Sequence, residues 1–518
     1  MLKGSRVSGE AAVAAVVEIH HAGQGMASLL RHALAVFSSL RRQIMQLTAV
    51  ILAAGQGTRM KSNLPKVLHP LGGQPLVLYS VETATAVTGS PPVLVIGYGA
   101  EMVREVVGDR ARYAVQPQQL GTGHAVMMAR EQAGPADHIL VSYADMPLLT
   151  AATLSALAES HRKSGSLISL LTVVAEDPRG FGRIVRDASD QVLGIVEEAV
   201  ATPEQLEIRE LNAGVYCFDA GWLWRNLPEI PVSPKGEYFL PDLAAMALAQ
   251  GYRVNAVRCE DEQELLGINT RVHLAEAEAV LRGRINRQWM EAGVTILDPA
   301  TAYIEPGVTI GVDTVILPGT YLMGDTHIGS GCRIGPHSVL QNCEIGNGCV
   351  VQMSMLEDAL MEDESNIGPF SHLRKGARLG RGAHMGNFGE VKNSTLGAGS
   401  KMGHFSYLGD AQVGEDVNIG AGTITCNFDG EHKHKTVIED GAFIGSDSML
   451  VAPLRIGQGA KTGAGSVVTH DVPAGAVAYG VPARVKGSSQ ASSASLEPAA
   501  DHDADGHGSR KEPGGHEE

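Results

Sequence analysis

Ile304-Glu305-Pro306-Gly307-Val308-Thr309-Ile310-Gly311-Val312-Asp313-Thr314-Val315-Ile316 carries an isoleucine at every sixth residue. Leu322, Ile328, Ile334 and Leu340 continue the series without a miss. It slips and resumes at Ile367, Leu373, Leu379, Met385 and Val391. It slips again to Met402 and Leu408, then to Val413 and Ile419, and ends through Ile438, Ile444, Leu450, Ile456 and Val468. An α-helix repeats about every 3.6 residues and a strand about every two, so neither gives this period. A hexapeptide repeat does. Each six residues form one flat side of a triangular coil, the aliphatic residue points inward, and three sides close a turn. The stretch predicts on the order of nine turns of a left-handed parallel β-helix. Glycine often follows the aliphatic residue, as in Ile310-Gly311, Ile328-Gly329 and Ile334-Gly335. The expected reason is a tight corner that only glycine turns easily.

One segment breaks the coil. Cys426–Lys435, CNFDGEHKHK, keeps no register. An insertion in a solenoid emerges on one edge and often belongs to a site. Upstream, Val272–Ala292 is rich in Ala, Leu, Glu and Arg and has glycine only at Gly283, which predicts a connecting helix over 272–292. Before it the pattern is strand, glycine loop, helix. Ala49–Ala54, Val93–Ile96 and Ile139–Ser142 are short aliphatic runs, with helical stretches at Leu76–Ala86 and His124–Gln132 between them. Such alternation predicts an α/β, Rossmann-like domain over 45–271, with a parallel sheet and ligands at the carboxyl ends of its strands. The β-helix domain is expected over 293–487. Residues 1–44 read as a disordered or mis-started extension with Met45 as the true start, and 488–518 as a disordered acidic tail holding seven acids against Arg510 and Lys511.

Composition narrows the function classes. The 518 residues carry a formal net charge of −16, which leaves no basic surplus for nucleic acid. No apolar run approaches the ~18–20 residues that span a bilayer. Sixty-two glycines and only 4% aromatics fit many turns around an aliphatic core. Cys217, Cys259, Cys332, Cys343, Cys349 and Cys426 form no C-x-x-C pair, so reduced thiols in a cytoplasmic protein are expected.

The chemistry-bearing residues cluster. Leu52-Ala53-Ala54-Gly55-Gln56-Gly57-Thr58-Arg59-Met60 ends the first strand, and Pro65-Lys66 follows. Glycines let a backbone approach a nucleotide, and Arg59 and Lys66 are cations within reach of the same phosphates. A lone glycine loop is a weak signal, and no G-K-[ST] completes a P-loop. The strand, the loop, Arg59 and Pro65-Lys66 together are a strong one. In the second half Lys401–Asp410, KMGHFSYLGD, offers His404, and histidine is the residue type most often used as a general base. Alone, Asp145 is as readily a helix N-cap after a strand, and a histidine among nineteen is most often a surface residue.

The loop resembles the sugar-nucleotide pyrophosphorylase signature L-x-x-G-x-G-T-R-M followed by P-K. Joined to the hexapeptide repeats, the chain is similar to the bacterial family of bifunctional N-acetylglucosamine-1-phosphate uridylyltransferases/glucosamine-1-phosphate acetyltransferases, from about Met45 to about Lys486. The resemblance implies that UDP-N-acetylglucosamine is made from glucosamine 1-phosphate, acetyl-CoA and UTP. It implies Leu52, Ala53, Ala54, Gly55, Arg59 and Lys66 at the nucleotide, with Gln116, Gly121 and Thr122 (QPQQLGTGHA) reading the uracil. Tyr143, Ala144 and Asp145 follow at a strand end, and Asp145 and Asn269 (GINTR) are the implied Mg²⁺ ligands. Gly182, Glu197 and Asn212 are the implied sugar contacts. Ala144 departs from the pattern, since glycine is common there. For acetyl transfer the resemblance implies His404 as base, Arg374 and Lys392 at the sugar phosphate, and Tyr407 and Asn418 at the sugar. Ala421, Asn427, Phe428, Ser446 and Ala464 match positions that line acetyl-CoA; Phe428 replaces the usual tyrosine, and its hydroxyl contact is lost. A homotrimer is implied, with neither nucleic acid nor membrane as partner. Two readings compete: a one-activity pyrophosphorylase with the coil as scaffold, against which His404, Arg374 and Lys392 argue, and a non-catalytic assembly subunit, against which Arg59, Lys66, Asp145 and Asn269 argue.

Overall fold

A computed structural model describes residues 46–488, apart from residue 235. The expectations for residues 1–44 and for the tail after Ser488 lie outside the described residues. The chain forms two compact units that divide between Leu281 and Arg282.

In the first unit, besides a small hairpin of Pro70–Leu71 with Gln74–Pro75, the strands are β1 (Leu47–Ala53), β2 (Val93–Ile96), β3 (Arg112–Val115), β4 (His138–Tyr143), β5 (Ile168–Val174), β6 (Arg183–Arg186), β7 (Val192–Val196), β8 (Glu210–Asp219) and β9 (Val254–Arg258). The main sheet runs β9-β5-β8-β4-β1-β2-β3. β1, β2, β3 and β4 are parallel, and so are β5 and β9. β8 is the departure from a parallel sheet: it runs antiparallel to both β4 and β5. Its Leu211, Val215, Tyr216, Cys217 and Phe218 are buried, so an unbroken apolar run does not reveal its direction. β6 and β7 form a short antiparallel ribbon beside it. Two aliphatic cores lie on opposite faces of the sheet: Ile51, Leu94 and Leu140 in one, and Val50, Val95 and Val141 in the other. Alternation along β1 thus sends the side chains from Ala49 to Ala53 into the two cores in turn, as a fully covered sheet requires.

The predicted connecting helix is Arg271–Glu291, and the division between units falls inside it. Up to Leu281 its Leu274, Ala277, Val280 and Leu281 pack with Leu71, Leu76 and Ile268 of the first unit. From Arg282 onward Ile285 and Trp289 pack on the core of the second unit, and Asn286 Nδ2 donates to the Pro299 and Ala302 carbonyls at 2.8 and 3.0 Å.

The second unit is the β-helix. Its strands stack into three parallel sheets of twelve, ten and nine strands, the first ending in an antiparallel pair, Ala476–Gly480 with Ala483–Ser488. These are called the first, second and third faces here, in the order the chain visits them from Thr295. Inward residues lie directly over one another, as Ile367, Met385 and Met402 do on the first face. The apparent slips in the repeat are sides of five residues rather than breaks. Leu340, Ile345, Val351, Leu356, Met361 and Ile367 all remain buried across that stretch.

Gly335, at φ 101°, takes the conformation expected of a corner glycine, but Gly311 and Gly329 have a different reason. Gly329 has no positive φ, but a Cβ on it would lie 2.7 Å from the Gly346 carbonyl carbon in the next coil. Glycine stands there because neighbouring backbones nearly touch. The left-handed residue comes two positions later, at Gly331 with φ 68°, and aspartate takes the same conformation at Asp313 and Asp416.

Gly329→Ala should therefore lower the stability of the β-helix by about 1–3 kcal/mol, the usual range for overpacking. Gly283→Ala, in the exposed helix with nothing within 4 Å of the new methyl, should raise stability by about 0.5–1 kcal/mol. Calorimetry of both full-length variants checks the opposite signs. A second expectation concerns acid. Burial lowers the His161 pKa from 6.5 to about 4, helped by His138 at 5.0 Å between ring centroids. The folded state thus holds this imidazole neutral, so its contribution is complete above pH 6.5 and is lost as the pH falls toward 4. His161→Leu should flatten the acid limb of stability against pH.

Candidate active sites

In the first unit three distant segments meet at the carboxyl ends of β1 and β4. β1 ends at Ala53, and Gly57, with φ 67°, turns the chain into a short 3-10 turn, Thr58–Met60. A Cβ at Gly57 would come within 2.6 Å of the Lys66 Cβ, so the glycine lets Lys66 fold back over the loop. The Lys66 ammonium pairs with the Asp145 carboxylate and donates to Asn269 Oδ1 at 3.1 Å. The Lys66 and Asp145 side chains are only 13% and 19% exposed. Ile268 N donates to the Asp145 carbonyl at 2.8 Å, which ties the Asn269 segment to the end of β4. Among the described residues no group of three or more His, Cys, Asp or Glu could hold a metal. A cation at this point would rest on the two protein oxygens that now share the Lys66 ammonium. Arg59 is exposed.

The rest of the predicted residues line the same end of the sheet. Ala54 O accepts from Tyr98 N at 3.2 Å, and Ala144 N donates to Leu52 O at 3.0 Å. The Ala144 methyl belongs to the buried core, so it is not turned to the open end. Gly55 differs from its neighbours: it has no positive φ, and a Cβ there would meet nothing within 4 Å. Gln116 is buried, with Nε2 3.1 Å from Gly121 O and 3.0 Å from His124 Nδ1. Gly121, at φ 93°, leaves no room for a Cβ, which would lie 2.5 Å from Tyr238 O. Thr122 Oγ1 accepts from Leu240 N at 3.0 Å.

A polar cluster forms where the β6–β7 ribbon meets β8. A Cβ on Gly182 would sit 3.2 Å from Glu197 Oε1, and Gly182 O accepts from Asn212 N at 2.8 Å. Asn212 Nδ2 donates to the Tyr216 hydroxyl at 2.8 Å. Burial raises the Glu197 pKa, and the charge of Asp242 adds to it; burial raises Asp242 as well. Burial likewise holds the Tyr143 and Tyr216 hydroxyls protonated. Asp242 is a polar member of this cluster that no sequence motif marks.

In the second unit the fixed register sorts the predicted residues by place. Lys401 pairs with Asn418, Asn418 with Phe443 and Phe443 with Lys461. His404, Ala421, Ser446 and Ala464 each follow one of these strands by the same step, so they form one column along the corner between the first and second faces. His404 is exposed. Asn418 lies on the first face. Arg374, Lys392 and Tyr407 lie on the second. Arg374 Nη1 bonds Glu390 Oε1 at 2.8 Å. The Lys392 pKa is lowered first by the neighbouring charge of Lys433 and then by Arg374, so three cations converge here. Sequence flags the insertion without singling out Lys433; only the fold brings it to Lys392.

Asn427 and Phe428 start that insertion, at the corner between the second and third faces. Asn427 Nδ2 donates to Asp410 Oδ2 at 2.6 Å. Burial would raise the Asp410 pKa, but donation from Asn393 and Asn427 and the charges of Lys433 and Lys392 outweigh it and hold the carboxylate charged. Asn427 and Phe428 thus stand at a different corner from Ala421, Ser446 and Ala464.

Comparison with known proteins agrees with both halves. Residues 49–210 match the MobA-like NTP transferase domain. Residues 307–342 match the bacterial transferase hexapeptide (six repeats), and 435–470 the hexapeptide repeat of succinyl-transferase. The bifunctional protein GlmU of Heliobacterium modesticaldum is 52% identical over 433 residues, covering 83% of this chain and 94% of that protein. The GlmU proteins of Geobacillus thermodenitrificans and Exiguobacterium sibiricum are 49% and 48% identical, over 83% and 82% of this chain and 95% of each relative. The chain belongs to the GlmU family, the bifunctional uridylyltransferase/acetyltransferases that make UDP-N-acetylglucosamine.

Proposed function

We propose that the first unit carries uridylyl transfer and the second acetyl transfer, with 272–292 as the connecting helix and the residues above in the roles the resemblance implies. The observation that carries the first assignment is the meeting of Lys66, Asp145 and Asn269 at the strand ends. Asp145 and Asn269 offer hard oxygen donors, which suit Mg²⁺, an ion that keeps several waters and shares substrate phosphates. Bound there, Mg²⁺ would neutralise charge on the triphosphate of UTP. Arg59 and Lys66 add positive charge at the phosphates. Leu52, Ala53 and Ala54 line the approach. Gly55 is a glycine that neither φ nor crowding within the chain demands, which suits close approach of a nucleotide. Gln116, Gly121 and Thr122 read the base beside Tyr143 and Ala144, and Gly182, Glu197 and Asn212 hold the amino sugar. An oxygen of the sugar phosphate then attacks the α-phosphorus, the bond to the bridging oxygen breaks, and pyrophosphate leaves. The nucleophile is already an anion, so alignment and charge neutralisation do the work.

Acetyl transfer needs a base, because the substrate amine is protonated at neutral pH. His404 takes its proton as the nitrogen attacks the thioester carbonyl of acetyl-CoA, and the thiolate of coenzyme A leaves. Arg374 and Lys392 hold the sugar phosphate, with Tyr407 and Asn418 at the sugar. The residues expected to line acetyl-CoA divide between two corners of the prism, Ala421, Ser446 and Ala464 at one and Asn427 and Phe428 at the other. One coil cannot close both around a ligand, so a neighbouring copy completes the site in a homotrimer. The corner that carries His404 also exposes Phe370, Phe388 and Phe405, at 57, 60 and 56%. The first two rings stack at 5.4 Å. Such an apolar ladder suits burial between copies. We place the enzyme in the cytoplasm, where its six unpaired thiols stay reduced and where it supplies cell-wall synthesis.

Asp145→Asn should cut uridylyl transfer by roughly 10²-fold or more, since a neutral amide is a poorer Mg²⁺ ligand than a carboxylate. Acetyl transfer should be unchanged. Pyrophosphate release at varied Mg²⁺ checks the first, and coenzyme A release the second. His404→Ala should lower acetyl transfer by about 10²–10⁴-fold and spare uridylyl transfer from supplied N-acetylglucosamine 1-phosphate. Lys66→Ala should do the reverse. Loss of both activities in either variant would sink the assignment of the two reactions to separate sites.

A further inference from the structure

The insertion at 427–435 is a two-stranded hairpin standing off the coil. Asn427 O accepts from His434 N at 2.8 Å, Phe428 bridges Lys433, and Asp429 N donates to His432 O at 3.2 Å. Gly430, at φ 106°, opens the turn. A lone two-stranded hairpin is at best marginally stable in water, so something must hold this one. At its base Asn427 is tied to Asp410. At its tip Asp429 Oδ1 accepts from the backbone N–H groups of Glu431 and His432 at 2.8 and 2.7 Å. Its other oxygen, Oδ2, accepts from His434 Nε2 at 2.6 Å across the hairpin.

The hairpin needs that hold because of what it carries. Lys433 faces Lys392, with Arg374 nearby. Asp410, whose backbone N–H donates to Lys392 O at 3.2 Å and whose carboxylate takes Asn427 at the hairpin's base, lies beside both lysines, and Glu390 holds Arg374. The repulsion that remains among the three cations falls on the hairpin, the one element of the three that no sheet holds. We propose that the Asp429–His434 pair is a positioning latch, which keeps Lys433 against Lys392 and Arg374 and so pre-forms the sugar-phosphate end of the acetyltransferase site. His434 touches neither substrate nor reacting atoms. It acts through Lys433, by cutting the ordering cost of binding. The inference rests on the assignment of Arg374 and Lys392 to the sugar phosphate.

The consequence is a split between binding and turnover. His434→Ala should raise KM for glucosamine 1-phosphate about tenfold, the loss of one hydrogen bond to a charged group. It should change kcat less than about twofold, because the base and the acetyl-CoA column are untouched. The uridylyl rate should stay as it is. His434→Gln keeps a side-chain N–H donor and should restore most of the lost affinity. The side chain is exposed to 33%, so the melting temperature should not move in either variant. The full-length enzyme is assayed by coenzyme A release, with Lys392→Ala in parallel. If Lys392→Ala raises KM and His434→Ala does not, the latch is wrong and the site stands. If neither moves KM, the site assignment fails and takes the latch with it. A KM rise in His434→Ala that His434→Gln does not reverse, or one accompanied by a lower melting temperature, would also overturn the latch.

Discussion

Stacking of one coil's backbone on the next governs the second unit. Parallel hydrogen bonds fix the register, so the residue above Met385 is Met402 and the residue above that is Ile419. Adjacent backbones come so close that Gly329 or Gly420 could not carry a Cβ without meeting the next coil. This constraint turns sequence separation into geometry. His404, Ala421, Ser446 and Ala464 are scattered in the chain but fall in one straight column, because the sides between them repeat. A site placed on such a column inherits the rigidity of the coil, and only the insertion at 427–435 needs side-chain ties of its own.

The first unit obtains its site differently. There the constraint is the shared end of parallel strands, where loops from distant parts of the chain must pass one another. Gly57 yields space to Lys66, Gly97 to the Ala54 carbonyl, and Gly121 to the Tyr238 backbone. The crowding gathers the Asp145 carboxylate and the Asn269 amide around one ammonium. In the coil position follows from periodicity; in the sheet it follows from topology, and the cost is a set of glycines at points of contact.

That difference explains what could be read beforehand. The six-residue period specifies the coil because each inward side chain is buried at a fixed step. The five-residue sides from Leu340 to Ile367 hide in sequence, since a shortened corner looks like a lost repeat. Glycine at the corners was legible as necessary, and at Gly335 for the expected reason, but at Gly329 the cause was not: it serves the neighbouring coil, which local sequence does not contain. The reversed direction of β8 left no mark, because a strand buried on both faces reads alike in either sense. The loop at Gly55–Arg59 and the stretch around His404 were legible as motifs. Asp242 and Lys433 were not, since each acquires its neighbours, Glu197 and Lys392, only on folding.

Charge sets a last requirement. The chain carries a net charge of −16, yet both reactions proposed for it consume phosphorylated substrates. Repulsion by the molecule as a whole would oppose their approach. Screening resolves the conflict, since at physiological salt a surface charge is felt over only about 8 Å. What an incoming phosphate meets is the local group, and both proposed sites gather cations: Arg59 and Lys66 in one, Arg374, Lys392 and Lys433 in the other. Concentrating cations has its own penalty, visible as the lowered pKa of Lys392 beside Lys433. The two proposed sites meet it in different ways. Lys66 is paired with Asp145 and Asn269, whereas Arg374 is paired with Glu390 and Lys433 is carried on a hairpin closed by Asp429 and His434. In each case the anion that binds relieves a repulsion or replaces a partner already built into the fold, so affinity comes from the arrangement of a few neighbouring groups in a chain whose overall charge is of the wrong sign.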